Sequence, residues 1–111
     1  MDERMMQDQL EGVARDLNIE VRYETMRKES RFNPGGLCRI HGDPVIIINR
    51  KASLNDRLNV LASAIRRFEL DGVFLRPGLR EFLEQAAPGR TLTKDELEMV
   101  DEADGEDEGA L

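Results

Sequence analysis

The spacing of apolar residues divides the chain into helical and strand-like stretches. Met6, Leu10, Val13 and Leu17 recur at i, i+4, i+7 and i+11, the period of one helical face, which predicts a helix over 3–17. Asp2 and Glu3 carry the negative charge a helix N-terminus favours, and Asn18 suits the left-handed residue that ends one. The period then falls to two: Ile19, Val21, Tyr23 and Thr25 alternate with polar or charged neighbours and predict a half-buried strand. Arg27 to Gly36 is polar, ends in Asn-Pro-Gly-Gly and reads as a loop. Leu37-Cys38-Arg39-Ile40 predicts a second strand, with His41-Gly42-Asp43-Pro44 as its turn. Val45-Ile46-Ile47-Ile48 is apolar on both faces, as a central, covered strand should be.

Ser53 is the expected N-cap of the longest amphipathic helix, whose stripe is Leu54, Leu58, Leu61, Ile65 and Phe68, with Asn55, Asn59 and Arg66 on the far side. Asp71-Gly72 stops it, and Val73-Phe74-Leu75 is expected to be extended. Pro77 opens a further helix facing inward with Leu79, Phe82, Leu83 and Ala86, closed by Pro88-Gly89. Thr93 and Glu96 have capping-box spacing, Leu92 and Leu97 that of a hydrophobic staple, so a short helix over 94–101 follows. The expected class is α+β: a small antiparallel three-stranded sheet packed by an N-terminal helix and a long central helix, with two further short C-terminal helices. Residues 1–101 form one domain in this reading, and 102–111 (EADGEDEGAL) form a disordered acidic tail.

Charge sharpens that division. The net charge is −7. From Asp95 onward there are nine acids and no base, whereas residues 1–94 carry 16 Lys/Arg against 14 Asp/Glu, and 21–67 carry ten against four. The middle of the chain is therefore basic. Arg22, Arg27, Lys28, Arg31, Arg39, Arg50, Lys51, Arg57, Arg66 and Arg67 offer a surface for anions or nucleic acid, which the tail would modulate. No recognised nucleic-acid motif accompanies it, and aromatic residues are only 5%, so stacking platforms are few. A mixed-charge surface without such a role is the simpler reading. The longest aliphatic run is four residues, far short of a bilayer span, and the charged start Met1-Asp2-Glu3-Arg4 predicts no secretory signal. One cysteine, Cys38, allows no internal disulfide and fits a reducing cytoplasm.

Candidate chemistry is sparse. Cys38 and His41 are too few ligands for zinc, so Cys38 is expected in the core and His41 in a turn. Three serines and one histidine occur without a Gly-x-Ser-x-Gly elbow, and no Gly-rich phosphate loop is present. Neither a catalytic residue, a metal site nor a cofactor is expected.

The order helix, Ile19–Tyr23, loop, Gly36–Ile40, turn, Val45–Asn49, Ser53 cap and long helix resembles the zincin-like peptidases of the ImmA/IrrE type. The likeness covers roughly residues 10–70, with Asn49 and the strand-to-helix step its most specific part. In that family the long helix carries His-Glu-x-x-His. By register Leu61-Ala62-Ser63-Ala64-Ile65-Arg66-Arg67 lies there, so Ser63 and Arg67 stand at the ligand positions and Ala64 at the general base. The resemblance thus implies a zincin-like scaffold without the peptidase. The expected function is a non-enzymatic cytoplasmic binding or regulatory module that engages another protein. Ser63, Arg66, Arg67, Arg76 and Arg80 are its candidate binding residues. An anion or nucleic-acid binder using the basic middle is the alternative.

Overall fold

The computed structural model describes residues 2–27, 32–87, 89 and 91–100. The elements are α1 (Glu3–Asp16), β1 (Glu20–Glu24), β2 (Gly35–Ile40), β3 (Asp43–Asn49), α2 (Leu54–Ile65), α3 (Pro77–Gln85) and α4 (Lys94–Glu98). They build an α+β domain. The expected tail at 102–111 and the domain boundary at 101 lie outside the described residues.

Local chemistry accounts for the helix ends. Asp2 caps α1 by accepting from the Met5 N–H, and Asn18 leaves the helix at φ 61°. Ser53 caps α2, and Thr93 with Glu96 completes a two-way capping box on α4. Pro77 begins α3 in the first helical turn, where its missing N–H costs nothing.

The sheet is mixed, which corrects the expected antiparallel arrangement. The strand order is β1-β3-β2. β2 and β3 form the predicted hairpin, turning at His41 (φ 54°) and Gly42 (φ 86°), but β1 pairs with β3 in parallel. β3 is buried along most of its length and so takes the centre, with a partner on each edge. Glu24 at the end of β1 lies beside Asn49, and Gly35 at the start of β2 lies beside Ile48. The connection from β1 to β2 therefore crosses the Asn49 end of β3, and β1 must run the same way as β3. Asn-Pro-Gly-Gly is not all loop, since Gly35 and Gly36 open β2.

Each face of the sheet has its own core. Ile46 and Ile48 of β3 point to the helices, where Leu10, Ala14, Leu58, Leu61, Ile65, Leu79 and Leu83 are almost fully buried. Val45 and Ile47 point the other way and pack with Cys38, Met26, Leu92 and Val100. Met26 and Val100 form a single antiparallel bridge, and Leu37 and Thr91 a parallel one, so residues 91–100 lie along the second face and the outer edge of β2. α4 stops at Glu98, earlier than the expected 101, because Val100 is drawn into this second cluster. No helix among the described residues is long and apolar enough to cross a membrane.

Candidate functional site

α2 packs on β2 and β3, and Ser63, Arg66 and Arg67 lie in or just past its last turn. The helix ends at Ile65 rather than Phe68, because the N–H groups of Arg67 and Phe68 bond three residues back, to Ala64 and Ile65. This tightened turn leaves the Ser63 carbonyl to other partners. The Gly89 N–H takes it, at 2.7 Å. Arg67 then donates its guanidinium to the Gly89 carbonyl at 2.6 Å. Ser63 and Arg67 thus hold Gly89 from both sides, and the chain continues from there to Leu92, whose N–H bonds the Leu37 carbonyl at 2.7 Å.

Beside this strap a groove of about 210 Å³ runs between α2 and the start of β2, lined by Pro34, Gly35, Asp56, Asn59, Ser63 and Gly89 among others. Ala64, buried under the helix, contributes only a methyl group. Asn59, placed on the far side of the apolar stripe by its spacing, is exposed and lines this groove.

The five candidate residues separate into two places. Ser63 and Arg67 meet at Gly89. Arg66 is not the solvent-facing residue that the helical stripe predicts, because its guanidinium donates to the Leu83 carbonyl and ties α2 to α3. Arg76 is the N-cap position of α3 and makes no side-chain cap bond; Arg80 follows one turn later, and both side chains are exposed. Phe74, just before them, is 84% exposed.

Two polar clusters had little signal in the sequence. Tyr23, on the helix-facing side of β1, donates its phenol O–H to Glu11 and accepts from Gln7 at 2.8 Å. The Arg57 guanidinium lies 5.4 Å from the ring centroid. Burial, and then the hydrogen bond from the phenol to Glu11, push Tyr23 up to about 12. The only hint was the i, i+4 spacing of Gln7 and Glu11. The second cluster centres on buried Asn49, whose Nδ2 donates to the Asn33 carbonyl at 2.9 Å and whose Oδ1 accepts from the Lys51 N–H at 3.0 Å. Asn33 in turn donates to Glu96 at 3.0 Å. An asparagine ending an apolar strand was its signal.

Cys38 is buried and burial pushes its thiol up, partly offset by Arg22, so it has the character of an inert core thiol. His41 sits in the hairpin turn. Among the described residues no three His, Cys, Asp or Glu side chains come together as metal ligands. No family model, curated protein or solved structure matches the chain.

Proposed function

We propose that the protein is a non-catalytic binding module on a degenerate zincin-like scaffold, which engages another protein through the outer surface of α3 and the loop before it. The observation that carries the reading is the grip on Gly89. The two residues that stand at the ligand positions of the resemblance, Ser63 and Arg67, both hold the backbone of the chain's own strap, Ser63 through its main-chain carbonyl and Arg67 through one guanidinium nitrogen. Ala64, between them, has no group able to activate water.

The outer surface has the composition of a docking site. Phe74 projects into solvent two residues before exposed Arg76 and six before exposed Arg80, and large aromatics and arginines are the residue types enriched where partner proteins bind tightly.

Two measurements test the proposal. Elemental analysis of the purified protein is expected to find no stoichiometric zinc; one zinc per chain would restore the enzyme reading. A photoreactive phenylalanine analogue at position 74, expressed in the native host, is expected to give a discrete protein adduct. That adduct should disappear when Arg76→Glu and Arg80→Glu are combined. No adduct, or one indifferent to the charge reversal, removes the partner.

A further inference from the structure

Side chains two apart on a strand share a face, so Arg39 follows Leu37 on the helix-facing side of β2. α2 packs on β2, and Arg67 and Phe68 follow its last turn. With Thr91 of the strap, these residues close a groove of about 310 Å³. It shares only Leu37 with the groove at Asn59, and no residue of α3 nor Phe74 is among its described lining.

The groove is built for negative charge. Two guanidiniums line it, one from a strand and one from a helix end, and no Asp or Glu is among its described lining residues. Each fork is anchored at one corner by a backbone carbonyl: Arg39 on Gly42 at 3.0 Å and Arg67 on Gly89 at 2.6 Å. Anchoring at one nitrogen leaves the remaining donors of each fork available and lowers the entropy lost when a ligand orders them. The only ion pair among the described residues, Arg22 with Glu20, involves neither arginine. Thr91 adds an exposed hydroxyl, while Phe68 and Leu37 supply an apolar wall.

We propose that this groove binds the oxyanion of a small molecule, a carboxylate or phosphate monoester, on a compact apolar body that rests against Phe68 and Leu37. Guanidinium forks match both oxyanions through paired N–H···O bonds. The volume, at the lower end of small-ligand sites, suits one such group and a ring rather than a polymer backbone.

Titration of isotope-labelled full-length protein with phenyl phosphate, and separately with phenylacetate, tests this at constant ionic strength balanced by chloride. Saturable shifts are expected at the Nε–Hε groups of Arg39 and Arg67 and at Thr91, with a Kd at or below about 1 mM for the better ligand. Arg39→Gln and Arg67→Gln should each weaken binding by about tenfold. Arg67→Gln also breaks the bond to Gly89; Arg39→Gln loses only an exposed bond to Gly42 within the hairpin turn, so it separates ligand loss from fold loss, and its backbone spectrum should match the parent outside residues 39–43. Tighter phenyl phosphate assigns a phosphate monoester, and tighter phenylacetate a carboxylate. Shifts that never saturate, that chloride alone reproduces, or that persist undiminished in Arg39→Gln would overturn the site.

Discussion

Gly89 lies so close to α2 that a Cβ placed on it would sit 2.9 Å from the Cβ of Ser63 and 3.1 Å from its carbonyl carbon. The contact is what lets the Gly89 N–H reach the Ser63 carbonyl. Gly89→Ala should therefore destabilise the fold by about 1–3 kcal/mol through overpacking. Gly12 is the control: it lies inside α1, and its added Cβ would meet nothing nearer than the end of the Arg15 side chain at 3.7 Å. Gly12→Ala should stabilise by about 0.5–1 kcal/mol. Opposite shifts in urea midpoint check the pair. A neutral Gly89→Ala would mean that the strap rests on α2 without needing the close approach.

Gly35 is a stricter case. Its φ is +116°, and a Cβ there would fall 2.0 Å from the Ile47 carbonyl oxygen, inside the hairpin ladder. Backbone atoms cannot yield as a side chain can. Gly35→Ala should abolish the β2–β3 pairing at that end and leave little folded protein, read as loss of dispersed amide resonances. Gly42→Ala, in the hairpin turn at φ +86° with open space around it, should cost only backbone strain, about 1–2 kcal/mol.

Asn49 joins the end of β3 to α4 through Asn33 and Glu96. Removing its amide takes one partner from the half-buried Asn33 carbonyl and one from the N–H of exposed Lys51, where each lost bond costs about 0.5–1.5 kcal/mol. Asn49→Leu should lower the urea midpoint. It should also speed amide exchange across 93–98, because Glu96 holds the Thr93 N–H with one carboxylate oxygen and Asn33 with the other. Slow exchange retained there would show that the capping box stands without the network.

Elements whose chemistry is local were legible in the sequence. The caps at Ser53 and Thr93, the turn at His41-Gly42 and the left-handed Asn18 all follow from residue types within a few positions of each other. The order of the strands was not, since an apolar run shows that β3 is covered but not which neighbour lies on which edge. Arg66 marks the same limit at the site. Helical spacing put it in solvent, while the Leu83 carbonyl that holds it comes from α3, 17 positions away. The grip of Ser63 and Arg67 on Gly89 depends on a tightened helix end and a distant glycine, neither visible in the register of α2.

Tyr23 is the only tyrosine, so tyrosinate absorbance reports this one side chain. Its phenol is pushed up to about 12 from an ordinary 10.0, first by burial and then by the hydrogen bond to Glu11. Because the folded value lies above the unfolded one, the linked stability is fully present below pH 10 and is lost as pH rises through about 12. The absorbance midpoint should therefore lie near 12 in the native protein and near 10 in denaturant. Thermal stability should fall between those two pH values more steeply than in Tyr23→Phe. Glu11→Gln should move the native midpoint downward without restoring the denatured one, because burial remains. A native midpoint at the denatured value would show that Tyr23 is solvated and that the α1–β1 contact is open in solution.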